Sequence, residues 1–425
     1  MSRFLAPTIA LGVALALAGP VDVRAQATAY TGATVWDGTG APSRLDVTML
    51  VEGGRIAEIG PDVSVPATAR TVSLDGKFVI PGLVNAHGHV TGGWATDPSA
   101  SEEERIRQDL RLYARYGVTS VNSLGDGRAA LAVASEAHDG RTHARLLAAG
   151  PVVTAHDRLA AREAARRNVE AGAAWLKLRV DDNLGSSEPM PWDAVAAVLE
   201  VGVEHGVPVA THLFYLDDAR RLLELGTDLV AHSVRDREVD ADFVAQLTES
   251  GVCYVPTLTR EVSTFVYGSR PDFFDDPFFR RFALAREVRR LEQPEVQRRF
   301  RESASAEGYR RALPRAEANL VTLHEAGARI AFGTDSGPPA RFPGYFEHME
   351  LWMMVEAGLT PAEALRSATA VAADCSGFTE VGTLEVGRRA DFLVLGEDPT
   401  VDIEATRSLE RVFVGGREVS MAPGG

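Results

Sequence analysis

The order of apolar and amphipathic segments predicts an α/β protein, a (β/α)8 TIM barrel with a small composite β-sandwich domain formed by both termini. Three observations carry this. Eight apolar strand candidates alternate with amphipathic helices in the middle of the chain, the count a barrel needs. Short strands punctuated by turn dipeptides occupy both ends. No glycine-rich phosphate turn follows the first barrel strand, which disfavours the alternative, a doubly wound open sheet.

Residues 1–25 read as a secretory signal. Arg3 supplies the positive start, Phe4 to Ala18 is almost wholly apolar, Pro20 breaks the run, and Val23-Arg24-Ala25 offers what a signal peptidase reads. Cleavage is expected after Ala25, or after Ala27 as second choice; an uncleaved anchor is the competing reading. The run is shorter than the ~20 residues of a comfortable membrane span. A secreted or periplasmic protein, with no span left after signal removal, is the expectation.

Residues 26–80 contain strand candidates at 33–36, 46–51, 54–60 and 70–74, with turns at Gly53-Gly54 and Asp75-Gly76. Residues 381–425 repeat the pattern at 390–395 and 411–419, around Gly415-Gly416. These two parts are expected to build one β-domain. Residues 81–380 form the barrel. Its strand candidates run 78–84, 118–124, 144–153, 174–180, 207–213, 229–234, 253–258 and 329–334; helices are expected at 102–115, 158–171, 191–204, 217–225 and 239–249. The segment 260–325 is too long for an ordinary connection and rich in Arg and Phe. It reads as a lid or substrate wall at the barrel mouth, or else as a packing or dimer surface.

Among 425 residues, 44 Lys+Arg stand against 59 Asp+Glu, a net charge of −15. That excess of acid speaks against nucleic acid as the partner. The two cysteines, Cys253 and Cys375, exclude a disulfide scaffold and leave their pairing open. The chain uses Arg almost throughout and has only two lysines, Lys77 and Lys177.

Ile80-Pro81-Gly82-Leu83-Val84-Asn85-Ala86-His87-Gly88-His89 ends the first barrel strand. Strand side chains alternate faces, so His87 and His89 share one face and can hold one metal ion. Gly88 is read as removing a side chain that would crowd them. Lys177, His212, His232 and Asp335 each interrupt or close another apolar run near its C-terminal end, where barrel enzymes place their chemistry. A lone buried His or Asp is ordinarily a hydrogen-bonded core residue. Six such residues on strands one, four, five, six and eight are hard to assign to chance, and the histidines with the carboxylate are a ligand set suited to zinc or a similar divalent ion. The remaining histidines (His138, His143, His156, His205, His324 and His348) are expected to be structural or exposed, with His156 held open. Tyr215, Arg235 and Arg260 follow strands five, six and seven and are candidate substrate-binding residues for a tetrahedral oxygen or a carboxylate. Plain exposed polarity competes with that reading, and is favoured for Arg235.

A protonated lysine in an apolar strand beside metal ions is electrostatically unfavourable. Lys177 makes sense if its amine is deprotonated and carbamylated by CO2, which turns a cation into a carboxylate able to bridge two ions. Arg cannot do this, because it does not deprotonate.

Together Pro81 to His89, Lys177, His212, His232 and Gly333-Thr334-Asp335 resemble the metal-dependent amidohydrolase superfamily. The likeness is to its imidazolonepropionase-like branch and its carbamylated-lysine Xaa-Pro or Xaa-Arg dipeptidases. Gly382 to Leu395 is similar to that family's return into its β-domain. The resemblance implies that His87, His89 and Asp335 hold the buried ion, and that His212 and His232 hold a second. Carbamylated Lys177 would bridge the two Zn2+. Asp335 would be the catalytic residue, taking a proton from water and passing it to the leaving nitrogen. The implied reaction is hydrolysis of an amide, peptide or cyclic-amide C–N bond in a small-molecule or dipeptide substrate. Leu213-Phe214-Tyr215 and the Ala231 and Ser233 flanks of His232 depart from the family pattern, so the substrate does not transfer from any one relative. The alternatives are a mononuclear cyclic-amide hydrolase or deaminase with Lys177 only structural, and a non-catalytic binding barrel with a vestigial metal site. Imidazolonepropionase itself is disfavoured by the signal segment. A homo-oligomer is compatible with all of these.

Overall fold

The computed structural model describes residues 27–422. The signal segment and Ala25 lie outside the described residues. Thr28–Val35, Arg44–Glu52, Arg55–Gly60, Arg70–Ser73 and Phe78–Pro81 join Phe392–Leu395, Leu409–Val414 and Arg417–Glu418 in one eight-stranded sheet. The two ends of the chain meet where Phe78–Pro81 pairs antiparallel with Phe392–Leu395. A separate apolar core forms behind them. Tyr30 stands edge-on to Phe392 and Phe413, and those two rings stack at 4.3 Å.

The strand expected at 78–84 is two strands. Phe78–Pro81 belongs to the composite sheet and Leu83–Gly88 to the barrel. The chain turns between them at Gly82, where a Cβ would lie 2.2 Å from the Thr119 hydroxyl. Only glycine lets the two layers approach so closely.

The barrel wall is built from parallel strands that are buried on both faces, hence their continuous apolar runs. Leu83–Gly88, Val118–Ser123 and Arg145–Ala148 form one group; Leu176–Arg179, Val209–His212, Leu229–Ala231 and Cys253–Val255 form the other. A parallel bridge between Val153 and Leu178 joins the groups. The eighth staves differ from expectation. Residues 329–334 make a single bridge, Ile330 to Tyr254, and then isolated backbone bonds from Ala86 to Phe332 and from Thr334 to His87. That is enough to close the barrel while leaving the chain free to turn sharply at Asp335, whose φ is 56°. The fold is thus a (β/α)8 barrel with a composite β-sandwich domain. A Cys253–Cys375 disulfide ties the seventh strand to the helical segment that follows the eighth.

The long connection after strand seven divides its work. Phe273, Phe274, Phe279 and Tyr267 pack with Phe342 and Tyr345 in a buried aromatic cluster. Its last helix, Ala304–Glu325, instead brings Tyr309 over the barrel mouth against Phe214. No helix among the described residues is long and apolar enough to cross a membrane.

Candidate metal centre

Strands one, four, five, six and eight bring His87, His89, Lys177, His212, His232 and Asp335 to one end of the barrel. Asp335 Oδ1 lies 2.7 Å from His89 Nε2 and 3.6 Å from His87 Nε2. The ligand atoms of these three residues all fall within 4.8 Å of one another. Lys177 Nζ is 3.4 Å from His87 Nε2. The His232 ring sits 4.7 Å from that of His87 and 4.1 Å from that of His212. Among the described residues, one group of three or more His, Cys, Asp or Glu converges in this way, and it is His87, His89 and Asp335.

Buried polar bonds hold these side chains in place. Asn85 Oδ1 accepts from the His87 amide at 2.9 Å, and Asn85 Nδ2 donates to Glu347 at 2.6 Å. Glu347, wholly buried, also accepts from Thr334, Ser336 and the Gly344 amide, so one carboxylate clamps strand one to the turn carrying Asp335. Asp126 faces His89 Nδ1 at 3.3 Å and accepts from the Val90 amide at 2.6 Å. Thr257 Oγ1 lies 2.7 Å from His232 Nδ1, leaving Nε2 toward the cavity. Gly88 serves a different purpose from the one expected. A Cβ there would strike Asn85 and Val121 at 2.9 Å and approach the Tyr113 hydroxyl at 3.1 Å, so it makes room for packing rather than for an ion.

Burial sets the protonation. It holds His87 and His232 well below the ordinary imidazole range and carries His212 down to about 4, so all three present neutral nitrogens. Burial also opposes charge on His89, but the Asp126 and Asp335 carboxylates win and lift it to about 9. Asp335 is ionised despite burial because Arg341 and the two histidines face it. Burial brings the Lys177 ammonium down to about 7. Neutral imidazoles and an ionised carboxylate form a donor set fit for a divalent ion.

The three proposed substrate-binding residues part company. Arg260 lies beside the ligand set, its unpartnered Nε 3.9 Å from Asp335 Oδ2 while its other nitrogens donate to Glu261 and Tyr309. Arg235 is neither exposed nor at the cavity surface. It is buried under Phe214, pairs with Glu261 at 3.1 Å and donates to the Leu213 carbonyl. Tyr215 turns aside and donates to Asp182 at 2.8 Å. His156 lies on the surface, its side chain 57% exposed. Sequence reasoning missed Arg341, which donates to Asp335, and the bracing acids Asp126, Asp181 and Glu347. Asp126 and Asp181 do sit just beyond strands two and four, the one signal that could have raised them.

The amidohydrolase family model matches residues 78–419. An imidazolonepropionase from Deinococcus radiodurans is 26% identical over 402 residues, covering 83% of this chain and 86% of that protein. The structure of a candidate prolidase from Bifidobacterium longum superposes with a TM-score of 0.76 at 25% identity, over 94% of this chain and 96% of that one. A Xaa-Pro dipeptidase with bound methionine shares the fold, with a TM-score of 0.73 at 21% identity over 92% and 99% of the two chains. With the match spanning barrel, ligand set and return strand, the chain belongs to the amidohydrolase family of metal-dependent hydrolases that act on carbon–nitrogen bonds.

Proposed function

We propose that this protein is an exported hydrolase of an amide, peptide or cyclic-amide bond, built on a binuclear centre. His87, His89 and Asp335 would hold one ion, His212 and His232 the other, with Lys177 as a carbamate between them. The observation that carries this is Lys177 itself. Its side chain is buried among imidazoles, and burial leaves its amine half-deprotonated near neutral pH. A neutral amine attacks the carbon of CO2 and releases one proton, leaving a carboxylate where the site needs negative charge. Divalent ions held there would activate water and polarise the scissile carbonyl. Asp335 is placed to accept the water's proton and hand it to the leaving nitrogen. Arg260 and Arg341 flank Asp335 Oδ2 and offer N–H donors to an oxyanion or a substrate carboxylate. Phe214 and Tyr309 wall the mouth against water. The Cys253–Cys375 disulfide supports export, since such bonds persist in oxidising compartments.

A mononuclear cyclic-amide hydrolase is the second reading. It is favoured by the convergence of His87, His89 and Asp335 alone and by the imidazolonepropionase relative. Zinc content of reconstituted protein separates the two: about two ions per chain supports the first, about one the second. A screen of dipeptides, Xaa-Pro included, N-acyl amino acids and lactams then identifies the substrate. Turnover of none, with zinc bound, would overturn the catalytic reading. The native mature protein should begin at Gln26 or Thr28; intact-mass detection of Met1 in a cytoplasmic fraction would overturn export.

A further inference from the structure

We infer that Asp181 is a positioning residue that decides which nitrogen of His212 faces the second ion. This rests on the binuclear reading above, in which His212 is a ligand. Asp181 stands just beyond strand four, one turn of the strand pattern past Lys177 and Arg179. Its side chain is only 1% exposed, and its Oδ2 lies 3.1 Å from His212 Nε2. Neither of these two buried atoms has an aligned hydrogen-bond partner among the described residues. A buried ionised carboxylate with one oxygen unsatisfied is costly. A neutral imidazole whose Nε2 were a second acceptor would add lone-pair repulsion at that distance. Both costs vanish if the ring proton sits on Nε2, facing Asp181. The lone pair is then on Nδ1, the ring nitrogen turned away from Asp181.

The neighbouring ligands show the same division of labour with the opposite sense. His89 turns Nδ1 to Asp126 and Nε2 to its fellow ligand Asp335, and His232 turns Nδ1 to Thr257. His212 instead has its Nε2 facing a carboxylate outside the proposed ligand set. Outer partners that fix an imidazole in this way govern metal affinity without touching the metal. Asp181 therefore belongs to the second ion's half of the site, as Asp126 belongs to the first's.

The test compares Asp181→Ala, Asp181→Asn and His212→Ala as full chains reconstituted with Zn2+ and bicarbonate, reading zinc content and chelator-competition affinity for each ion. Asp181→Ala should weaken the second ion by about 10–100-fold while leaving the first unchanged. Asp181→Asn keeps an acceptor oxygen and should recover most of that loss; it also serves should the alanine variant fold poorly. In long-range proton–nitrogen spectra of the metal-free protein, His212 should carry its proton on Nε2, and Asp181→Ala should shift it toward Nδ1. A purely structural Asp181 would not move the tautomer. If His212→Ala loses one ion while Asp181→Ala keeps both at wild-type affinity, the inference fails alone. If Asp181→Asn is as damaging as His212→Ala, Asp181 is a ligand and the inference is wrong. If His212→Ala keeps both ions, the binuclear reading falls and takes this inference with it.

Discussion

The two halves of the metal centre are prepared to different degrees. On the side of strands one and eight, His87, His89 and Asp335 already converge, and Glu347, Asn85 and Asp126 brace them. On the side of strands four to six, the imidazoles of His212 and His232 meet edge to face at 4.1 Å, but Lys177 offers a nitrogen and no oxygen. One half is complete as folded. On the binuclear reading, the other gains a bridging carboxylate only when Lys177 takes up CO2. The comparison teaches that burial does two jobs here. It makes imidazoles neutral enough to ligate, and it makes one lysine neutral enough to react.

Breaking the prepared half should do the most damage. Asp335→Asn removes a carboxylate ligand and the proton carrier together, and should lower kcat/KM by on the order of 10³-fold, equivalent to several kcal/mol of lost transition-state stabilisation. Zinc at the first position should fall in the same protein. Wild-type turnover with zinc retained would show that Asp335 has neither role.

Lys177→Arg attacks the other half and should cost less metal. Guanidinium keeps the charge and cannot take CO2. A lysine that merely lays its stem along the wall would tolerate the change. The carbamate reading expects the second ion lost, the first retained, and turnover down by roughly 10²-fold. Lys177→Ala with added zinc and a short carboxylic acid should regain part of it. An active Lys177→Arg with two ions bound would leave Lys177 structural.

Much of this asymmetry was not legible in the sequence. The barrel was, because strands covered on both faces must be continuously apolar, and the helix at Glu102–Arg115 carries its own start signal in Ser101 and three glutamates. The six candidate ligands were legible because each breaks such a run at the same end. Glu347 was not, since a glutamate within a helix reads as a solvated charge until the fold buries it against Asn85. Arg235 was misread as exposed for the same reason, its partner Glu261 lying on a different strand's loop. The division of strand one at Gly82 depends on Thr119, far away in sequence.

Glu347→Gln sharpens the bracing argument. The amide can replace only some of the four bonds the carboxylate accepts, so strand one and the Asp335 turn should loosen. First-ion affinity should drop by about 10-fold, the low end for an outer partner, with the second ion untouched. Equal loss of both ions would mean that the two halves share one brace.

Both halves are read in a single experiment, on the unmutated chain, by the pH dependence of ion binding. In the metal-free protein His89 holds its proton up to about 9, whereas His87, His212 and His232 are already neutral above pH 6. A first ion must therefore displace one proton, from His89. Its apparent affinity should rise about tenfold per pH unit from 6 toward 9 and then level off. On the carbamate reading, the second half releases protons through Lys177. Below about 7 the ammonium loses one proton to become an amine and a second on forming the carbamate; above about 7 only the second is released. At fixed CO2, second-ion affinity should climb about a hundredfold per unit below pH 7 and about tenfold per unit above it. Chelator competition at pH 6, 7, 8 and 9, with and without bicarbonate, measures both slopes. A second-ion slope that ignores bicarbonate would remove the carbamate, and a flat first-ion slope between pH 6 and 8 would remove His89 from the ligand set.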